Sequence, residues 1–478
     1  MDSILQLQPN SLWKHFADIC SIPHPSKHEE AICLHIISFA KKHNLEYKQD
    51  AVGNILITKK ATHGFENREI VCLQAHVDMV PQKNAEIQHN FITDSIKPFI
   101  TGNFVKATQT TLGADNGIGL AAILAVLGSD SMQHGPLEAL FTIDEETGMT
   151  GANNLTPDFL QAKYLINTDT EVKNEITVGC AGGLDGNFIF DYTKEQIPNN
   201  YISYQISISG LTGGHSGFEI HLGRANANVL LSKLLQQILP LQAQISSING
   251  GNMRNAIPRE SSSIISIPAN KKDEFTSVFE AFKQSKIQSY SSTDPYISLS
   301  IQEITKQETC IANKSAITII EALLECPNEV ITFENKEKGI VRTSTNLSII
   351  KTHDNSIEIN CLLRSFSSQE KQELANRMEK LFSEKGATTS FVGDYPGWEP
   401  IWDSKIIDIV KKASTTVYKT APHIQVVHAG LECGIFSGIF PNIEYVSFGP
   451  TIRNPHSPDE LVEIDSVHDF WKIATIKF

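Results

Sequence analysis

The sequence predicts an α/β protein built on a twisted, mostly parallel sheet flanked by helices, with an α+β segment inserted into it. Three observations lead there. Up to Gly183, helical patterns alternate with short, continuous apolar runs, the rhythm of a sheet covered on both faces. Beyond Gly183, apolar and polar residues alternate one by one, which marks strands with one wet face. From Trp398 the continuous apolar runs return. The 478 residues also exceed what one ordinary core holds. We therefore expect a split domain of residues 1–184 and 396–478, with residues 185–395 inserted as a lid.

The elements follow in order. Residues 12–20 and 30–43 have helical periodicity, and 55–58 read as a strand. Residues 70–75 are apolar apart from Gln74, as suits a strand buried on both faces. Residues 117–127 form a buried helix, and 139–143 and 164–166 two more buried strands. In the insert, Ile202, Tyr204, Ile206 and Ile208 alternate with Ser203, Gln205, Ser207 and Ser209. A helix then carries Val229, Leu230, Leu234 and Ile238, and strands follow near Ile245 and Ile264. Next come a helix with Phe275, Val278, Phe279 and Phe282 and a strand near Ile297. This order is β-α-β-β-α-β. A second pass has a helix at 316–324, strands at 346–350 and 357–363, and a helix at 369–382. The lid is thus expected to hold two related α+β units, although their sequences share no visible identity. Residues 404–418 read as a helix and 443–448 as a strand.

Composition narrows the partners. The formal charge of -14 argues against nucleic acid and anionic membranes, which both select a basic surface. No apolar stretch approaches the ~20 residues of a membrane helix. Met1-Asp2-Ser3-Ile4 lacks the basic, apolar and small-residue regions of a secretory signal. The eight cysteines form no Cys-x-x-Cys pair, and several, such as Cys72, sit in apolar runs. Buried free thiols in a reducing, cytoplasmic compartment are expected.

The chemistry gathers where strands end. The strand at 70–75 leads into His76-Val77-Asp78, that at 139–143 into Asp144-Glu145-Glu146, and that at 164–166 into Asn167-Thr168-Asp169. In open α/β sheets, ligands bind beyond the carboxyl ends of strands. Asp115, before a helix, and His456, after the strand ending at Phe448, complete the set. Taken singly, Asp115 is an ordinary helix cap, Glu145-Glu146 solvated charge, and Asp169 an Asx turn. Together, two imidazoles and several carboxylates suit Zn²⁺, Mn²⁺ or Co²⁺. One catalytic ion needs three protein ligands. Five candidates point to two ions sharing a carboxylate.

His76-Val77-Asp78, Gly113-Ala114-Asp115-Asn116-Gly117, Asp144-Glu145-Glu146-Thr147-Gly148, Asn167-Thr168-Asp169 and Pro455-His456-Ser457 occur in the order seen in M20 metallopeptidases, and the chain resembles that family. The resemblance implies two divalent ions, with zinc the expected metal and cobalt or manganese as alternatives. Asp115 bridges them, Glu146 and His456 complete one site, and His76 and Asp169 the other. Glu145 is the general base for a metal-held water, and Asp78 orients His76. Cys180-Ala181-Gly182-Gly183, Gly213-Gly214-His215-Ser216-Gly217, Asn252-Met253-Arg254-Asn255-Ala256-Ile257-Pro258 and His428-Ala429-Gly430-Leu431-Glu432-Cys433-Gly434 resemble the aminoacyl-histidine dipeptidase branch. That implies His215 and Asn255 at the scissile carbonyl, and Arg364 and Gly430 at the substrate's terminal carboxylate.

The implied activity is hydrolysis of small peptides, Xaa-His dipeptides above all and β-alanyl-histidine among them, with a homodimer through the lid. Another M20 peptidase or deacylase is the alternative enzyme. A metal-stabilised binding protein is the alternative outside catalysis. Two departures from the family stand out. Thr170-Glu171-Val172-Lys173 is less acidic than usual after the metal aspartate, and Asn454 replaces a common glycine.

Overall fold

Gln74, the one polar residue in its apolar run, lies in the strand Val71–His76 at the middle of an eight-stranded sheet. The structure is a computed structural model and describes residues 4–475; Met1-Asp2-Ser3, most of the stretch read for a secretory signal, lies outside them. Among the described residues no helix is long and apolar enough to cross a membrane. All eight cysteines are buried with free thiols.

The chain divides into two compact units: residues 1–180, 398–426 and 431–478, and residues 181–397 with 427–430. In the first unit, Leu137–Thr142, Val71–His76, Tyr164–Asn167 and Glu444–Ser447 run parallel side by side. Antiparallel strands flank them, Glu46–Gln49 and Ile55–Lys59 on one side and Glu175–Cys180 on the other. The sheet is therefore mixed at its margins.

Register separates the two faces of this sheet. Leu73 pairs with Ala139 and Ile166, and Ala75 with Phe141. These residues join the apolar core with Phe16, Ile36, Leu124, Val410 and Phe470 from the helices. The alternate positions carry Gln74 and His76, paired with Leu140 and Thr142. A strand buried on both faces thus hides a period-two separation of apolar and polar residues. The helix Ala114–Leu127 is buried over almost its whole length, as a helix apolar on all sides must be.

The second unit holds a nine-stranded sheet. Tyr201–Ser209, Gln244–Gly250, Ser261–Pro268 and Ser298–Ile304 take the spatial order fourth, first, third, second. Gly182–Asp191, Ile340–Thr352, Ser356–Ser365 and Thr388–Tyr395 take the same order read from the opposite edge. The two halves therefore share one β-α-β-β-α-β topology and meet where Gly250 pairs with Ile350. The second half begins before the first, because Gly182–Asp191 precedes Tyr201–Ser209 in the chain. Tyr204, Ile206 and Ile208 face the helices, while Gln205 is exposed.

One glycine couples the buried helix to the sheet. A Cβ at Gly119 would lie 2.1 Å from both Asn116 Oδ1 and Thr168 Oγ1. Asn116 Nδ2 donates to Asp169 Oδ1 at 2.7 Å, so this close approach also sets the position of Asp169. Gly119→Ala is predicted to cost about 1–3 kcal/mol through overpacking. A calorimetric melt should show a midpoint several degrees lower, and an unchanged midpoint would remove Gly119 from this account.

Candidate active site

Loops of the first unit, with the start of the helix Ala114–Leu127, bring together His76, Asp115, Glu145, Glu146, Asp169 and His456; His215, Asn255, Arg364 and Gly430 belong to the second unit. His76 ends its own strand. Its Nδ1 lies 3.3 Å from Asp78 Oδ1, and its Nε2 lies 3.2 Å from Asp115 Oδ1 and 3.4 Å from Asp169 Oδ1. Asp78 also accepts from the backbone N–H groups of Glu145, at 3.0 Å, and Glu146, at 3.2 Å. Ser26 Oγ donates to the same carboxylate at 2.8 Å. One buried aspartate thus orients both His76 and the Glu145–Glu146 turn.

That turn is tight. Asp144 has φ 51°, in the left-handed region, and the short helix Glu145–Gly148 starts from it. Thr147 and Thr150 hydroxyls donate to the Asp144 carboxylate, and Glu29 accepts its N–H at 3.2 Å.

His456 lies in the loop between the paired strands Ile452–Arg453 and Leu461–Glu463. Asn454 and His456 have φ of 51° and 58°. Asparagine enters the left-handed region more readily than most residues, so Asn454 meets the need a glycine would meet. His456 Nε2 lies 3.0 Å from Glu146 Oε2 and 3.4 Å from Asp115 Oδ2. The same loop carries Glu460, whose buried carboxylate accepts from Leu112, Gly113 and Ala114 N–H at 2.7, 3.0 and 2.8 Å and from Asp115 N–H at 3.3 Å. Asp115 therefore sits on a backbone loop wrapped around a second carboxylate.

His76, Asp115 and Asp169 bring ligand atoms within 4.8 Å of one another, as do Asp115, Glu146 and His456, and Asp115 belongs to both groups. His76, Glu145 and Glu146 form a further such group. The donors are imidazole and carboxylate throughout, the chemistry that Zn²⁺, Mn²⁺ and Co²⁺ accept. Hydrogen bonds to Asp115 and Glu146 push His456 up to about 11. Burial opposes protonation of His76, but Asp169 and Asp115 outweigh it and raise that histidine well above its ordinary range. Burial and the Asp115 charge push Asp169 up to about 6. Burial raises Glu145 well above the carboxylate range, with His76 opposing and Asp169 adding. Cations bound among these donors would favour their unprotonated forms.

In the second unit, His215 pairs with Ala256 across a two-stranded ladder, and Ser216 N–H donates to Asn255 O at 2.8 Å. His215 Nδ1 accepts from Gly217 and Phe218 N–H, both at 3.1 Å. The proton of a neutral ring therefore resides on Nε2. Burial, then the Arg364 charge, lowers His215 to about 4, so the ring is neutral at pH 7. Arg364 is buried; its Nη1 donates to Tyr395 Oη at 3.1 Å. Gly430 packs on the ring of Tyr395.

Several residues escaped the sequence reading. Glu460 and Ser26 belong to no motif or periodic run in the sequence. Glu171, in the segment noted as poor in acid, is pushed up to about 9 by burial and by Asp115 and Asp169. Glu432 accepts from Gln74 Nε2 at 2.7 Å and Thr142 Oγ1 at 2.9 Å, beneath the site. Gln74 was the available signal, since a polar residue in a buried strand needs a partner.

A profile of Peptidase family M20/M25/M40 matches residues 72–475, and the chain belongs to that family. The cytosol non-specific dipeptidase of Escherichia coli (strain K12) is 43% identical over 99% of this chain and 98% of its own length. The crystal structure of aminoacylhistidine dipeptidase from Vibrio alginolyticus is 43% identical, with a TM-score of 0.96 over 99% of this chain and 97% of that one. Aminopeptidase PepT from Bacillus cereus, at 16% identity and a TM-score of 0.57 over 98% of this chain and 97% of that one, shares the fold alone.

Glu460→Gln tests how Asp115 is held. The amide turns a donor toward N–H groups that need acceptors, at a cost of roughly 1.5–3 kcal/mol for hydrogen bonds to a charged group. The variant is predicted to melt lower and to bind Zn²⁺ more weakly in a chelator competition. Unchanged zinc affinity would show that the loop holds Asp115 without Glu460.

Proposed function

We propose that this chain hydrolyses dipeptides with the help of two divalent cations, and that dipeptides ending in His are among its substrates. The observation that carries the proposal is the Asp115 carboxylate, which turns Oδ1 to His76 and Oδ2 to His456. The whole-length similarity to two dipeptidases supports the substrate class. His76, Asp115 and Asp169 would hold one cation, and Asp115, Glu146 and His456 the other. Zinc is our assignment, and cobalt or manganese would accept the same donors. Such ions, when bound, polarise a carbonyl and make a water easier to deprotonate.

The chain's own groups supply the rest. Glu145 accepts the proton of the attacking water and passes it to the leaving amine. Asp78 fixes the backbone from which Glu145 projects. In the second unit, His215 has a neutral ring with a donor Nε2–H, which suits it to a carbonyl oxygen that gains negative charge. Asn255 is exposed beside it. Arg364 and Gly430 are assigned to the substrate's C-terminal carboxylate, which a planar guanidinium can meet with two hydrogen bonds. The eight buried free thiols and the cytosolic relative support a cytoplasmic location. The family resemblance supports pairing of two chains through the second unit.

Glu145→Gln keeps the shape but loses the proton acceptor. Turnover of alanyl-histidine should fall by about 10²–10⁴-fold, while metal content persists. Glu146→Ala should lose metal as well as activity. Near-wild-type turnover in Glu145→Gln would place the base elsewhere.

A panel of dipeptides with free and amidated C-termini tests the substrate class. Amidation is expected to depress kcat/KM by about 1.5–3 kcal/mol, as for a lost charged hydrogen bond. Arg364→Ala should lose a similar amount on the free dipeptide and little more on the amide. Equal cleavage of amides or long peptides would make the chain a broader aminopeptidase.

A further inference from the structure

The second unit's sheet carries one polar rung across four neighbouring strands. Ser344 pairs with Arg364, Arg364 with Gly183, and Gly183 with Tyr395. An irregularity between Val392 and Tyr395 puts the tyrosine opposite Gly183. Bulges commonly re-aim a side chain in this way.

Gly183 is where Tyr395 crosses. A Cβ there would lie 2.5 Å from both Cε1 and Oη of the tyrosine. The ring therefore lies flat over the glycine and reaches the next strand, where Oη accepts from Arg364 Nη1 at 3.1 Å. Gly430 covers another edge of the ring, since its Cβ would lie 3.0 Å from Cε2. Lys371, itself buried, ties down the backbone beneath by donating to Gly183 O at 3.3 Å and to Tyr395 O. At the far end of the rung, Ser344 Oγ lies 2.7 Å from His428 Nε2.

Arg364 is only 5% exposed, and its Nε has no hydrogen-bond partner among the described residues. A buried guanidinium with an idle donor is costly unless an anion completes it. We propose that Tyr395 is a positioning residue that presets Arg364 for the substrate's C-terminal carboxylate. By holding Nη1, it leaves the Nε edge of the guanidinium for the anion. Fixing a long side chain before binding removes part of the ordering cost of binding. Gly183 then has a purpose in recognition, because only a residue without Cβ lets the ring pass. This inference rests on the dipeptidase function proposed above and adds to it the residue that sets the carboxylate clamp.

The test is Tyr395→Phe, which keeps the ring and removes only the hydroxyl. With metal-reconstituted enzyme, KM for alanyl-histidine should rise roughly tenfold, with kcat within about twofold and KM for alanyl-histidinamide unchanged. Gly183→Ala should push the ring aside and give the same pattern with a larger KM effect. A purely structural role would instead move both substrates together and lower the melting midpoint. The second readout is calorimetric binding of the two peptides in a Glu145→Gln background, where Tyr395→Phe should weaken only the free acid. If the wild type cleaves dipeptides but Tyr395→Phe binds acid and amide as the wild type does, the positioning role is wrong and the function stands. If the wild type cleaves none, yet the acid still binds more weakly after Tyr395→Phe, the function is wrong and the positioning role stands.

Discussion

Asp115 offers one carboxylate oxygen to His76 and the other to His456, and the backbone around it is arranged to hold that double contact. Asp169, Glu146, Glu145 and Glu171 crowd the same space, and burial and mutual repulsion lift several of them above the usual carboxylate range. So many acids converge only where positive charge offsets their repulsion. Hydrogen bonds from backbone and uncharged side chains then limit how far the acids can retreat, as Asn116 does for Asp169.

The first unit does this with carboxylates that bind no cation in our assignment. Glu460 gathers the N–H groups of the Asp115 loop, and Asp78 gathers those of Glu145 and Glu146. Such partners fix ligand geometry from behind. The second unit treats a cation in the same way. There the Arg364 guanidinium is placed by a tyrosine that crosses a glycine, in a row set by sheet register rather than by sequence proximity.

Much of this was legible in the sequence. The strand Val71–His76 appeared as an apolar run, and the helix Ala114–Leu127 as a stretch dominated by apolar residues. His76, Glu145, Glu146 and Asp169 were visible because each follows a short apolar run, Asp115 because it opens a buried helix, and His456 through the Pro455-His456-Ser457 motif. Glu460 and Ser26 were not, because a loop acid and a loop serine carry no pattern until the chain folds back on them. Gly182–Asp191 and Thr388–Tyr395 were missed as strands. The first is broken by Gly186 and Asn187, and the second has mostly exposed or half-exposed residues. The Ser344–Arg364–Gly183–Tyr395 row was invisible for a further reason, since it depends on strand order and on a single register irregularity.

The most direct measurement is anomalous diffraction at the zinc edge from crystals of the zinc-loaded protein. Sharing of Asp115 predicts two peaks about 3.5–4 Å apart, as in other two-metal sites, with one Asp115 oxygen on each. A single peak, or two peaks with Asp115 bound to only one, would contradict the account.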